Sequence, residues 1–507
     1  MSKPTIHAGA ILSLPAKATA HRPKRILVAY SMTATFVSTT MEYLLTLKNF
    51  SPYEVHYIHV THDARMDFDI NDYDVVFHNY CARLCFDGFV SEDYQTALLG
   101  FRGLKIIAIQ DDYDRTATLH RAIRRLGFHV LLTAIQSEFW PLVYPKSELP
   151  GVTIVQGLTG YLPERFLDYK FPIIPLADRR VWVAYRGRNI GARYGRLGFE
   201  KYEIGRRMIE ICTARGIPHD IAMDDNSRIY GDAWYEFLGS SRAMLGSESG
   251  SNAFDFDGHL DEKFSTFVSV HGRRPTYQEF KPILDPLEAP FNVGQISPRV
   301  FECAIMMTPM ILFRGSYSNA IEADVHYIPL EKDFSNAEAI LARLKDLEYL
   351  QGFADRAYQR LVASGKYGHR SFNQLIVDTI EKEYARRIDP DWIAYRSRTT
   401  RSTDSGNQSP KVSALQLELA ERPTDVPLGA DEFVPRQERI ARLLCKPQTL
   451  TFYVILRPIW VLLPMSLRTS ILRVLRWWMN TLRLPLATGA DRKRSGYFAP
   501  QGRRNGE

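Results

Sequence analysis

Two series of short apolar runs, each run followed by a stretch long enough for a helix, constrain this chain more than any other feature. The first series is 24–30 (KRILVAY), 53–60, 74–78 (DVVFH), 104–110 (LKIIAIQ), 129–133 (HVLLT) and 152–156 (VTIVQ). The second begins at 180–185 (RVWVAY), passes through a strongly helical 201–215, and continues with 219–223, 241–246 and 310–313. Strand and helix in alternation build a parallel, doubly wound sheet. A chain of 507 residues exceeds what one hydrophobic core organises, so the pattern predicts an α/β protein of two Rossmann-like domains. Ligands of such sheets sit beyond the carboxyl ends of the strands, and the cleft that the two domains face is the expected site.

Domain boundaries follow from the same pattern. Residues 1–22 are an expected flexible N-terminus, 23–170 the first domain, and 171–395 the second, closed by a helix over 370–387. From 396 to 435 the sequence turns to Ser, Thr, Pro, Asp and Glu with few aromatics. Such a stretch cannot offset the entropy of ordering and is expected to be a disordered linker. The remainder, 436–507, holds fourteen Lys and Arg against three acids. That surplus leaves about −4 for everything before it out of a total of +7. The body therefore lacks the basic surface with interleaved aromatics that nucleic acid requires. Five scattered cysteines with no Cys-x-x-Cys pair point to reduced thiols and a cytoplasmic setting. The apolar patch at 10–14 is too short for a signal-peptide core.

Within the tail, 450–463 (LTFYVILRPIWVLL) falls short of the roughly twenty apolar residues of a spanning helix and is interrupted by Arg457 and Pro458. Drawn as a helix, 467–482 sets Leu467, Ile471, Leu475, Trp478 and Leu482 on one face, with Arg473, Arg476 and Arg483 opposite. The expectation is a helical tail lying on an anionic membrane surface, holding the protein peripherally at its inner face. A helix packed on the protein or on a partner subunit is the alternative.

For chemistry the most informative segment is 297–309 (SPRVFECAIMMTP): a loop, an apolar helix with one acid near its start, then Thr-Pro before a strand. A carboxylate such as Glu302 accepts from two hydroxyls at once. The segment resembles the donor-site helix of the glycosyltransferase group 1 family, retaining enzymes with the GT-B arrangement, whose pattern runs roughly Arg-x-x-Glu-Ala-x-x-x-Gly-x-Pro. Arg299, Glu302 and Pro309 fit it, and Met307 stands where glycine is usual. The resemblance implies that Glu302 binds the ribose of a nucleotide-sugar donor, with Arg299 beside it.

Two other segments occur in the family's order. In 185–201 (YRGRNIGARYGRLGFEK), leaving the first strand of the second domain, the family sets an Arg and a Lys against the donor diphosphate. Arg186 and Arg188 are the first choices and Lys201 the next. In 246–258 (GSESGSNAFDFDG), Ser249 and Gly250 let backbone N–H groups approach a phosphate or sugar, while Glu248, Asp255 and Asp257 can hold sugar hydroxyls. The family places two glutamates eight positions apart, but the position eight before Glu302 is Gly294. Either Glu248 or one of the aspartates takes that task, or the donor pocket differs. Asp-Phe-Asp also resembles the metal motif of the other glycosyltransferase fold, a different architecture, and no metal is expected.

The first domain is expected to present a glycan or lipid-linked acceptor from loops at its strand ends, at 31–35, His78 with Asn79, and 111–114. His78 is one catalytic candidate and Glu248 the other; a histidine satisfied in the core is the competing reading of His78. No Gly-x-Gly-x-x-Gly follows a strand, and neither a Walker loop nor His-Glu-x-x-His occurs, so nicotinamide, ATP-loop and zinc-protease functions lose support. The expectation is sugar transfer from a nucleotide sugar with no further cofactor, in cell-surface polysaccharide or glycoconjugate synthesis. A sugar-nucleotide epimerase and a non-catalytic nucleotide- or glycan-binding scaffold are the rivals.

Overall fold

The computed structural model describes residues 23–403 apart from 32–37, 62–63, 87–88, 163–165, 167–171, 230 and 289–291. The expected flexible N-terminus, the linker from 404 onward and the whole basic tail lie outside the described residues.

In the first domain, β1 (Arg25–Tyr30), β2 (Glu54–His59), β3 (Val75–His78), β4 (Leu104–Ala108), β5 (Val130–Thr133) and β6 (Thr153–Gln156) form one parallel sheet in the order β2-β1-β3-β4-β5-β6. They are joined by α1 (Ser38–Phe50), α2 (Glu92–Gly100), α3 (Thr116–Leu126) and the one-turn α4 (Trp140–Val143). Successive side chains alternate across a sheet. Leu27, Ala29, Val76, Ile107 and Leu131 thus share a core with α2 and α3, while Ile26, Val28, Phe77, Ile106 and Leu132 face the other side.

The second domain repeats the plan. Its strands are β7 (Val181–Arg186), β8 (His219–Ala222), β9 (Ser241–Gly246), β10 (Met310–Phe313) and β11 (Ile328–Leu330), in the parallel order β11-β10-β9-β7-β8. Its helices are α5 (Gly195–Ala214), α6 (Asp232–Gly239), α7 (His259–His271), α8 (Tyr277–Glu288), α9 (Pro298–Ile305), α10 (Ala337–Arg343) and α11 (Leu347–Tyr358). The pair α7 and α8 is an excursion between β9 and α9 with a small core of its own, Ala253, Leu260, Phe280 and Leu284. In both sheets the winding reverses beside the first strand, between β1 and β3 and between β7 and β9. A reversal opens a crevice at the strand ends.

Two expectations about the end of the second domain are corrected. The helix α12 (His369–Arg387), read as closing that domain, packs on the first sheet instead. Phe372, Ile376, Ile380 and Tyr384 are buried with Val28, Phe77 and Ile106, and each such burial contributes roughly 1.5–3 kcal/mol. The next helix, α13 (Pro390–Thr403), runs past residue 395, where the linker was expected to begin. Its Arg396 lies buried 3.3 Å from Asp74. Asp74 is fully buried and accepts the backbone N–H groups of Lys24 and Arg25, and Arg396 supplies the countercharge that a buried carboxylate requires.

The two sheets meet through a strip of the second domain. Phe254 and Val293 enter the first domain's core. Asp255 N donates to Tyr113 O at 2.9 Å, and Ala117 N to Phe256 O at 3.0 Å. Arg193 spans the seam, 2.6 Å from Asp114 on one side and 2.7 Å from Asp261 on the other.

Candidate functional site

Cations gather at the switch point of the second sheet. Beyond β9, Ser249 exchanges backbone hydrogen bonds with Gln295 at 2.7 and 3.0 Å. Gly250 follows at φ +89, where a Cβ would meet the Gln295 side chain at 3.3 Å, a left-handed turn that favours glycine. Lys201 of α5 reaches across to Ser249 Oγ at 3.3 Å. Burial, then the neighbouring Arg299 and Arg188, lower its pKa to about 8, while Asp111 of the first domain acts in the opposite sense. Arg188 is exposed. Lys201, Arg299 and Arg188 thus lie near enough to act on one another, a concentration of positive charge that favours an anion.

Residues three apart share a helix face, so Arg299 and Glu302 of α9 look the same way. The Arg299 guanidinium donates to Arg186 O and lies 4.9 Å from the Tyr185 ring and 5.6 Å from the Trp234 ring. Glu302 Oε2 accepts from Trp234 Nε1 at 2.8 Å. Burial raises the Glu302 carboxyl above its ordinary value, opposed by the Trp234 hydrogen bond and the Arg299 charge. Met307, at the position where the family pattern has glycine, stands at φ +50, a left-handed conformation costing roughly 1–2 kcal/mol for a residue with a Cβ.

Glu248, just past β9, is 2 % exposed. Its Oε1 accepts from Ser316 N at 2.7 Å, Ser316 Oγ at 3.0 Å and Tyr317 N at 3.0 Å, all in the turn after β10. The carboxylate fills the space beside two glycines: a Cβ at Gly294 would lie 2.0 Å from Glu248 Cδ, and one at Gly315 2.3 Å. The Gly294 carbonyl in turn accepts from Gln136 Nε2 of the first domain at 2.8 Å and from Ser316 Oγ at 3.1 Å. The carboxylate missing from position 294 in sequence is thus present there in space, delivered from β9.

Four other candidates are placed elsewhere. His78 is a core residue: it is fully buried, with Nδ1 3.2 Å from Tyr94 Oη and Nε2 2.5 Å from Ala82 O. Burial lowers its pKa to about 4, so it is neutral and does not face the crevice. Arg186 is occupied by Asp220, at 2.8 and 2.9 Å, and stacks 4.2 Å from the Phe237 ring. Asp255 accepts from Leu260 N and Asp261 N, both at 3.1 Å, and so serves the start of α7. Asp257 is exposed on the same loop. Among the described residues no three His, Cys, Asp or Glu side chains cluster to hold a metal ion. Trp234, which touches both Glu302 and Arg299, was not singled out from sequence; the one available signal was a lone tryptophan in α6, whose N–H needs an acceptor when covered.

A hollow of about 930 Å³ lies apart from these groups, between α2 and α3. Its lining holds Arg65, Arg121 and Arg125 against Glu92 and Asp93, with Arg121 bonded to Thr118 and Arg125 to Gln95.

The fold is therefore a two-domain α/β arrangement with clustered polar and charged side chains near the topological switch point of its second sheet. No protein-family model matches the sequence, and no curated protein does. The chain is similar to several solved structures. One is the Anabaena protein HepE in complex with UDP-glucose, 11% identical over 71% of this chain and 99% of that one, with a TM-score of 0.40. Another is an alpha-glucosyltransferase in complex with UDP-glucose and DNA containing an abasic site, 11% identical over 70% of this chain and 98% of that one, TM-score 0.41. A third is sucrose-phosphate synthase from Thermosynechococcus elongatus, 9% identical over 71% and 99%, TM-score 0.37. Likeness at this level carries no ligand or activity across; those rest on the chain's own residues.

Proposed function

We propose that this protein is a glycosyltransferase of the GT-B arrangement that binds a nucleotide sugar in the crevice at β7 and β9. The observation that carries the reading is the order of charges: Glu302, then Arg299, Lys201 and Arg188, then Ser249 and Glu248. A nucleoside diphosphate sugar has the matching order, with ribose hydroxyls, a dianionic centre and sugar hydroxyls. Carboxylates accept from hydroxyl pairs and cations take the phosphates.

In this reading the cations do their main work late. Negative charge grows on the departing diphosphate as the glycosidic bond breaks, so groups fixed against it lower the barrier more than they tighten ground-state binding. The acceptor hydroxyl approaches from the first domain, where Asp111 faces Lys201. Retention of configuration is implied by the family resemblance. Transfer of a hexose to a glycan or lipid-linked acceptor in surface polysaccharide synthesis, by a cytoplasmic enzyme held at the inner membrane face by residues 436–507, extends the reading; its support is the charge and apolar pattern of the tail sequence.

Replacing Glu302 tests the assignment. Glu302→Ala should weaken nucleotide-sugar binding by about 1.5–3 kcal/mol, the worth of a charged hydrogen-bond partner, measured by calorimetry on protein shown to be folded. Unchanged affinity would remove Glu302 from the site. Product analysis with and without acceptor separates the rivals, because epimerisation proceeds without acceptor and a scaffold turns over neither.

A further inference from the structure

We infer that Trp234 is the positioning residue of the donor site, its indole holding the Glu302 carboxylate and the Arg299 guanidinium in the orientation that a bound nucleotide uses. The inference rests on the nucleotide-sugar reading above.

Arg299 and Glu302 are neighbours on one face of α9, where an arginine and a glutamate three apart commonly pair. Here no ion pair joins them among the described residues; Glu302 is held by the Trp234 indole, and Arg299 by the Arg186 carbonyl and the Tyr185 and Trp234 rings. Trp234 reaches both, with its N–H 2.8 Å from Glu302 Oε2 and its ring 5.6 Å from the Arg299 guanidinium. The indole is itself fixed from below: it stacks on Phe237, one turn along α6, at 5.7 Å and 25°, and Phe237 is covered by the Arg186 guanidinium at 4.2 Å. Arg186 thus supports the platform rather than the phosphates.

The chemistry follows from the donor inventory. An indole offers one donor and no acceptor, so it occupies Oε2 of the carboxylate and leaves Oε1 for vicinal hydroxyls. A hydrogen bond to the charged form also favours ionisation against the burial that opposes it. On the other side, the Trp234 ring joins the closer Tyr185 ring and the Arg186 carbonyl in keeping the guanidinium from folding onto Glu302, which would cancel both groups as ligands.

Trp234→Phe keeps the ring and its stacking and removes only the N–H. Titrated with UDP, GDP and ADP in turn, the variant should bind the preferred diphosphate roughly tenfold more weakly than wild type. The acid limb of its affinity-against-pH curve should move to higher pH, because the carboxyl has lost the bond that kept it ionised. A side chain that merely fills space would leave that limb in place. If Glu302→Gln weakens binding while Trp234→Phe changes neither affinity nor limb, the inference falls and the nucleotide reading stands. If Glu302→Gln also binds as wild type does, the reading itself falls and the inference with it. Should Trp234→Phe lower the melting temperature, the double variant with Glu302→Gln decides: losses that fail to add show that Trp234 acts through Glu302, and additive losses overturn the claim.

Discussion

The two sheets are wound alike, yet the polar residue at the end of the equivalent strand meets opposite fates. β3 lies beside β1 as β9 lies beside β7. β3 ends in His78, whose parity matches Val76, so it points under α2 and is shut between Tyr94 and Phe128. Glu248 lies beyond the last residue of β9, where the N–H groups of the turn after β10 catch one oxygen. A polar side chain inside the strand joins the core and has to be satisfied there. One just past it is buried as well, but its oxygen is held by backbone donors of a neighbouring turn at the strand ends rather than by the core.

The largest effect should come from filling the gap that Glu248 occupies. Gly294→Ala would put a Cβ 2.0 Å from the carboxylate carbon, forcing it away by about an ångström or more, and turnover should fall by about 10²-fold with the fold retained. Full turnover in that variant would take Glu248 out of the chemistry and leave the comparison without its second half.

A smaller effect on a different observable is expected at His78. His78→Gln should destabilise the protein by about 1–3 kcal/mol in a urea titration while leaving turnover at saturation unchanged. The sign of its pH dependence is fixed by the direction of the shift. A histidine with a folded pKa of about 4, below the ordinary value, contributes stability that is fully present above roughly pH 6.5 and is lost as pH falls toward 4. His129 and His369, also lowered to about 4 by burial, should preserve part of that acid limb in the variant. Lost turnover with unchanged stability would return His78 to the reaction centre.

Strands of the parallel sheets were legible because, covered on both faces, they read as continuous apolar runs. β11 was not, being three residues long with Pro329 inside it, and α8 was hidden by Pro282 and Pro286. Fixed spacing on one helix made Arg299 and Glu302 legible together. The place of Glu248 was not, because it depends on Gly294 in the loop before α9 and Gly315 after β10 leaving a gap that only the folded chain brings together. Arg186 and Arg188 look equal in sequence. Asp220, on the neighbouring strand β8, takes the first and leaves the second exposed.

The central claim, that the cations at β7 and β9 bind a diphosphate, is tested most directly through Lys201. Its pKa of about 8 means that it is largely charged below that pH and loses its charge as pH rises through it. Calorimetric titration of the preferred nucleoside diphosphate into wild-type protein should therefore show affinity falling several-fold between about pH 7.5 and about pH 9, with proton uptake on binding at the upper pH. Lys201→Arg, which stays charged throughout, should show no such fall. Binding that is equally strong at both pH values in wild type, or no binding of UDP, GDP or ADP at either, would contradict the account.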